Sequence, residues 1–209
     1  MKPNIILVHG ILNQGRMFWT MAQHLAKCGF QVYAPDLKPN TAITSLTLLS
    51  EQLSRYIQNN LPTSSSYHLL GFSMGGLISR HYLQTYADIH RVQSFTTLSS
   101  PHKGTLNAWL LPLKGWKEMR PNSLFLQQLS ANDHRIASYL RPLSLWTPFD
   151  LVILPANSSI WNIATNESFH IPIHTAMMYS KKVVARLVQH LGKENTSSIK
   201  ETLMLKMIQ

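Results

Sequence analysis

One short glycine-flanked serine turn constrains this chain more than any other feature. Gly71-Phe72-Ser73-Met74-Gly75 matches the pattern G-x-S-x-G. By itself the pattern arises by chance in roughly a tenth of chains this long, because glycine makes up about 7% of residues. Here it follows a predicted strand over 67–71 and precedes a predicted helix over 74–86. A serine held on such a strained strand-to-helix turn is placed to act as a nucleophile, whereas the alternative is a serine that only caps the helix.

The rest of the first hundred residues alternates between strand and helix patterns, which predicts an α/β fold with a predominantly parallel sheet flanked by helices on both faces. Two more strands are expected near residues 143–147 and 166–170, which brings the sheet to about six strands. The earlier predicted elements are strands over 4–9, 31–34, 67–71 and 92–98, and helices over 16–28, 46–61 and 74–86.

Two regions lie outside this simple alternation. Residues 104–140 are rich in Leu, Trp and Pro, and we expect a small, cap-like helical elaboration over the carboxyl edge of the sheet. After a predicted helix over 177–191, residues 193–209 form a tail that is either frayed or a short docking helix. Residues 1–209 are otherwise expected to form one domain, because the length suits a single core.

Composition excludes several classes of protein. Only 13% of residues are charged and 44% are hydrophobic, which rules out a disordered chain, and the single cysteine, Cys28, rules out a disulfide framework. The formal charge of +10 favours transient contact with anionic lipid surfaces, but the basic residues are scattered, so no nucleic-acid partner is expected. Neither a signal peptide nor a transmembrane segment is seen, which predicts a cytoplasmic location.

An acyl-transfer site also needs backbone N–H groups aimed at the developing oxyanion. One donor is expected from Met74, the residue after the nucleophile, and the second from the loop after an early strand. In Val8-His9-Gly10-Ile11 the glycine allows close approach, and Ile11 would present its N–H. The side chain of His9 is left as either an ordinary turn or core histidine or a contributor to this loop.

The acid of a catalytic triad is found by elimination. It should follow the nucleophile in the chain and lie at the carboxyl tip of a strand. Asp150 fits, because it comes just after the apolar strand near 143–147. Its alternative role is that of a solvated loop residue. The carboxylates that follow Ser73 are Asp88, Glu118, Asp133, Asp150, Glu167, Glu194 and Glu201.

The base must be a histidine that lies in a loop and reaches both the serine and the acid. His174 follows the last predicted strand and precedes the last helix, so it is preferred over His170, which lies within that strand, and over His190. No group of side chains has the spacing of a metal site, so neither a metal nor a cofactor is expected. His102 and Lys103 either shape the substrate pocket or belong to a turn between Pro101 and Gly104.

Five short motifs of the chain occur together in one known family. They are Val8-His9-Gly10-Ile11, Gly71-Phe72-Ser73-Met74-Gly75-Gly76, Ser99-Ser100-Pro101-His102-Lys103-Gly104-Thr105, Met119-Arg120-Pro121-Asn122-Ser123-Leu124-Phe125-Leu126 and His174-Thr175-Ala176-Met177-Met178-Tyr179. Together they resemble the α/β-hydrolase family, and more narrowly its small bacterial triacylglycerol lipases and esterases. The resemblance covers most of residues 4–192, although Ser100 stands where these lipases usually have threonine.

The resemblance implies a serine hydrolase of carboxylic esters that works through an acyl-enzyme. Ser73 would be the nucleophile, His174 the base and Asp150 the acid, with Ile11 and Met74 as the oxyanion donors. The expected substrate is a small-molecule or lipid acyl ester, and the residues that bind it are not indicated. Three alternatives stay open: a thioesterase or deacylase, a phospholipase, and an inactive module that binds lipid surfaces.

Overall fold

The protein is described here by a computed structural model, in which residues 3–192 are placed. Six strands form one sheet in the order β2-β1-β3-β4-β5-β6, and every pair of neighbours is parallel. The predicted parallel α/β architecture is therefore confirmed. The strands are β1 (Asn4–Val8), β2 (Gln31–Tyr33), β3 (Tyr67–Phe72), β4 (Val92–Leu98), β5 (Leu143–Trp146) and β6 (Thr165–Ser168).

The helices follow the predicted pattern with two shifts. The first predicted helix divides into a 3-10 turn over Gly15–Phe18 and an α-helix, and the last helix begins at 181 rather than 177, because a 3-10 turn over His174–Met178 precedes it. In the described residues the α-helices are α1 (Trp19–Lys27), α2 (Leu46–Asn60), α3 (Met74–Thr85), α4 (Lys114–Glu118), α5 (Leu124–Ala131), α6 (His134–Ala137) and α7 (181–192).

The sheet separates two hydrophobic clusters, as helices on both faces require. On one face, Ile6 and Leu69 of the strands pack with apolar residues of α2, α3 and the 104–140 region, such as Leu53 and Leu77. On the other face, strand residues such as Leu7 pack with α1 and α7. Burial of an apolar stripe against the sheet supplies most of the stability of such helices.

Strand register brings the carboxyl ends of the four central strands to one edge. Val8 at the end of β1 pairs with Gly71, Phe72 at the end of β3 pairs with Leu98, and Leu98 in turn pairs with Leu145 of β5. The loops that follow these strands therefore meet, and this is the edge at which open α/β sheets bind ligands.

The expected elaboration contains α4, α5, α6 and a 3-10 turn over Leu106–Trp109. It joins β4 to β5 and contributes buried residues such as Phe125 and Ile136 to the first of the two hydrophobic clusters. The tail over 193–209 lies outside the described residues. Within 3–192, none of the helices is long and apolar enough to cross a bilayer.

Candidate active site

Ser73 occupies the sharp turn between β3 and α3. Its φ of 53° and ψ of −125° are rare for a residue with a side chain, and its N–H is held by the Leu98 carbonyl at 2.8 Å. A Cβ on Gly71 would lie 2.5 Å from the Cα of Gly76, so the turn closes this tightly only with glycine. The Ser73 side chain makes no capping hydrogen bond to α3, in contrast to the alternative of a helix-capping serine. Strain of this kind is typical of functional positions.

The loop after β1 packs directly against this turn. A Cβ built on Gly10 would lie 3.0 Å from the Ser73 Cβ, so glycine permits the approach. Ile11 follows, and its N–H has no hydrogen-bond acceptor among the described residues. The Met74 N–H is the first of α3, where helical N–H groups lack an intrahelical partner. Two backbone donors therefore flank the serine.

The His9 side chain, whose role the sequence left open, holds the Gly10 peptide. Leu37 N–H donates to His9 Nε2 at 2.9 Å, so Nε2 is the acceptor and Nδ1 carries the hydrogen that the Gly10 carbonyl accepts at 2.8 Å. That carbonyl belongs to the same planar peptide as the Ile11 N–H. Burial lowers the pKa of His9, which keeps the ring neutral and this pattern intact.

Asp150 and His174 form a buried pair. His174 Nδ1 lies 2.7 Å from Asp150 Oδ2, and both residues are less than a tenth exposed. Asp150 Oδ1 accepts the N–H groups of Val152 and Ile153, each at 2.9 Å. These donors orient the Asp150 side chain towards the histidine, and a carboxylate that accepts from Nδ1–H would leave the Nε2 lone pair of the ring available for a proton.

The pair lies beside the serine turn. The ring of His174 contacts that of Phe72, the residue before Ser73, at 4.8 Å between centroids. The three residues chosen from sequence are thus brought to one edge of the sheet.

Four other described carboxylates follow Ser73, and each is engaged elsewhere; one of them, Asp133, pairs with Arg80 at 2.8 Å. Asp88 accepts His90 N–H, Glu118 accepts Leu46 N–H at 2.6 Å, and Glu167 pairs with Arg186 at 2.6 Å. His170, the alternative base, is exposed and contacts Phe149 at 5.7 Å between ring centroids. No cluster of His, Cys, Asp and Glu suited to a metal occurs within residues 3–192.

A second polar cluster, which the sequence did not reveal, lies under the elaboration. Arg80 of α3 is 1% exposed and donates to both Asp133 oxygens, at 2.9 and 2.8 Å. Trp161 Nε1 also donates to Asp133, and the indole stacks on His102 at 4.6 Å. Burial and the positive charges of Arg80 and Lys103 hold the pKa of His102 well below its usual value. His102 is therefore an interior neutral ring rather than a polar rim residue.

This fold and serine turn agree with a comparison against known families. The model of the alpha/beta hydrolase fold family matches residues 3–171. The match covers most of the chain, and the chain belongs to this family.

Curated proteins of similar sequence are thioesterases by name. The chain is 28% identical over 177 residues to the lysosomal thioesterase PPT2-B of Xenopus laevis, covering 76% of this chain and 60% of that protein. It is 32% identical over 129 residues to the bovine lysosomal thioesterase PPT2, covering 53% of this chain and 39% of that one. The chain thus spans 60% or less of these relatives' lengths.

The solved structures share the fold at low identity. Aspergillus fumigatus lipase B superposes with a TM-score of 0.75 at 18% identity, over 90% of this chain and 52% of that chain. Mature Bacillus licheniformis lipase BlEst2 gives 0.69 at 17% identity, over 91% of each chain.

Proposed function

We propose that this protein is a serine hydrolase that cleaves carboxylic esters through an acyl-enzyme. Ser73 is the nucleophile, His174 the general base and Asp150 the residue that orients it. Ile11 and Met74 donate their backbone N–H groups to the oxyanion. The observation that carries the proposal is the buried Asp150–His174 hydrogen bond of 2.7 Å beside the strained Ser73 turn.

The reaction follows from the donors and acceptors of this site. His174 Nε2 takes the proton of the Ser73 hydroxyl as the serine oxygen attacks the ester carbonyl carbon. The tetrahedral oxyanion accepts hydrogen bonds from Ile11 and Met74, and collapse breaks the bond to the alcohol oxygen, which takes the proton from His174. Water, deprotonated by the same histidine, attacks the acyl-enzyme, and the acid leaves as Ser73 recovers its proton.

A thioesterase is the second candidate, and it is favoured by four curated relatives that are named lysosomal thioesterases. The same residues would serve, since only the leaving atom changes from oxygen to sulfur. A deacylase or a phospholipase would also use this site, whereas the burial of all three proposed catalytic residues argues against an inactive binding module. A cytoplasmic location remains a prediction, and the names of these relatives place them in the lysosome.

The proposal is tested with matched acyl series from two to sixteen carbons, as p-nitrophenyl esters and as coenzyme A thioesters. Ser73→Ala is assayed beside the parent protein, with circular dichroism to show that both are folded. We expect ester turnover that falls by at least about 10⁴-fold in Ser73→Ala. Faster turnover of thioesters at every length would move the assignment to a thioesterase, and no turnover of either series in folded protein would refute a hydrolase.

A further inference from the structure

The loop over 9–15, which we call the oxyanion loop, contains a strained residue. Leu12 follows the proposed oxyanion donor Ile11 and has a φ of 58°, a backbone conformation that is rare for a residue with a side chain. Its side chain is 68% exposed, so apolar packing does not keep it in place. A strained conformation persists only where surrounding contacts fix it, and at Leu12 those contacts are hydrogen bonds.

Asn40 makes a hydrogen bond on each side of Leu12. Its backbone carbonyl accepts the Leu12 N–H at 2.8 Å, and its side-chain amide donates to the Asn13 carbonyl at 2.9 Å. Asn40 lies 27 positions from Asn13 in the chain, so these bonds are tertiary contacts rather than parts of a local turn. The strained residue is therefore held by a separate segment of the protein.

These bonds act on the peptide directly after the oxyanion donor. The Ile11 carbonyl and the Leu12 N–H belong to one planar peptide. Its N–H donates to Asn40, and its carbonyl accepts the Asn13 side chain at 2.7 Å. The preceding peptide carries the Ile11 N–H, and its Gly10 carbonyl is held by the neutral histidine ring described above. Both peptides that flank Ile11 are therefore held, which sets the direction of its N–H.

The other end of the segment over 36–40 is also bonded to the oxyanion loop. Gly15 N–H donates to Asp36 Oδ1 at 2.6 Å, and Leu37 N–H donates to His9 Nε2 at 2.9 Å. Hydrogen bonds thus join the segment to the loop near both of its ends.

The elaboration holds the chain just after Asn40. Trp116 Nε1 donates to the Thr41 carbonyl, and Gly115 N–H donates to the Ala42 carbonyl, each at 3.0 Å. Ala42 is fully buried and has a φ of 56°, so this stretch is strained as well. Because Gly115 and Trp116 belong to α4, Asn40 lies between a helix of the elaboration and the oxyanion loop.

We propose that Asn40 is a positioning residue for the reaction, which holds the Ile11 N–H towards the charge that develops on the substrate. The inference rests on the proposed hydrolase function and adds a residue that acts through the backbone of Ile11 rather than on the reacting atoms. Removal of one oxyanion donor typically costs about 10²–10³-fold in rate, because the donor is aimed before the charge develops. Loss of the Asn40 side chain should therefore weaken binding of the transition state more than binding of the substrate.

The experiment compares Asn40→Ala with the matched variant Asn166→Ala in turnover of p-nitrophenyl butyrate. Asn166 also braces a loop, because its Nδ2 donates to the carbonyls of Trp161 and Ala164 at 2.9 and 2.8 Å. It lies near the amino end of β6, at the edge of the sheet opposite the candidate site. Inhibition by a trifluoromethyl ketone is measured as well, because addition of the Ser73 oxygen to its carbonyl gives a tetrahedral oxyanion in the same hole. Urea unfolding shows whether each variant is folded at the assay temperature.

We expect Asn40→Ala to lower kcat by about 10–100-fold and to leave KM within about twofold of the parent, because the contact matters only in the transition state. The inhibition constant of the ketone should rise by a factor close to the fall in kcat/KM. Asn166→Ala should keep both kcat and the inhibition constant within about twofold of the parent. The second variant is Asp36→Ala, which frees the Gly15 N–H at the other end of the segment and should lower kcat in the same way by a smaller factor.

Three results would overturn the inference. The kcat of Asn40→Ala could equal that of Asn166→Ala. KM could rise with kcat unchanged, which would make Asn40 a substrate contact, or kcat could fall with ketone inhibition unchanged, which would place the loss outside the oxyanion hole. If Asn40→Ala unfolds at the assay temperature, the same criteria apply to Asp36→Ala. Failure of the hydrolase assignment is distinct, because the parent protein itself would then neither turn over the ester nor bind the ketone.

Discussion

Two of the buried regions that hold a histidine near a carboxylate differ in what that histidine contacts. At the sheet edge, Asp150 is bonded to His174 at 2.7 Å. Under the elaboration, Asp133 is bonded to Arg80 and Trp161, and His102 lies stacked on that Trp161 without a carboxylate of its own.

Under the proposed function, the partners of each ring, rather than the residue type, separate a reactive histidine from a structural one. A carboxylate on Nδ1 would stabilise the cation that the proposed base, His174, forms when it takes the serine proton. His102 instead faces Arg80 and Lys103, which oppose that same cation and lower its pKa. We therefore expect changes at the first region to remove activity and changes at the second to remove stability.

The largest effect is expected from His174→Ala. Loss of the proposed base should lower kcat for p-nitrophenyl butyrate by about 10⁴–10⁶-fold, because triad residues act as a unit. His102→Gln is the matched variant in the other region, and its kcat should stay within about threefold of the parent. A comparable loss of kcat in both variants would erase the contrast between the two histidines.

Asp150→Asn comes next. The amide keeps the size of the side chain but does not favour hydrogen on Nδ1 of His174, so kcat should fall by about 10⁴-fold. Unfolding in urea should show that the variant is folded at the assay temperature. Activity near that of the parent would mean that Asp150 only supports its loop through Val152 and Ile153.

Asp133→Asn should act on stability. It leaves the Arg80 guanidinium, which is 1% exposed, without its counter-charge, and the free energy of unfolding should fall by about 3–5 kcal/mol. Adding Arg80→Met should restore much of this loss, since no buried charge then remains. The change is read from urea unfolding, and kcat of the folded enzyme should be nearly unchanged. A loss of kcat in a fully folded variant would place this cluster in the reaction.

The smallest predicted effect concerns pH. His102 titrates near pH 6.5 when unfolded and at a lower pH when folded, so below about 6.5 the unfolded chain binds the extra proton. Folding stability is therefore retained above that pH and falls as the pH drops towards the folded pKa, by up to about 1.4 kcal/mol per unit from this residue. The difference in unfolding free energy between parent and His102→Gln, measured from pH 7.5 to 5.5, should shrink. A constant difference would contradict the lowered pKa.

The sequence pattern is strong in the central strands of the sheet and weak in its edge strand, so the bounds of the edge strand were predicted less well. The apolar runs before Gly71 and in Val92–Leu98 identify β3 and β4 because both are buried. The strand expected over 166–170 is β6 at Thr165–Ser168, a polar and largely exposed edge strand that has no apolar pattern to mark its ends. Met177 and Met178 are buried but belong to a 3-10 turn. Because their apolar pattern resembles that of the helix, the helix was predicted to begin at 177, whereas it begins at 181.

The candidate site could be predicted from the sequence for a topological reason. Parallel strands end at one edge, so a serine after β3, an aspartate after β5 and a histidine after β6 are expected to lie near each other even without a structure. The Arg80–Asp133 pair is different, because its members are 53 positions apart, and Asp133 lies in an elaboration whose path no repeat or period fixes. The role of His9 depends on Leu37, another long-range contact that the sequence does not show.

The central claim is that the Asp150–His174 pair activates Ser73. The most direct measurement is labelling with a fluorophosphonate, followed by mass spectrometry of the modified peptide. The account predicts one adduct, on Ser73, in folded protein, formed far more slowly in His174→Ala than in His102→Gln. Folded protein that carries no adduct, or carries it on another serine, would contradict the account.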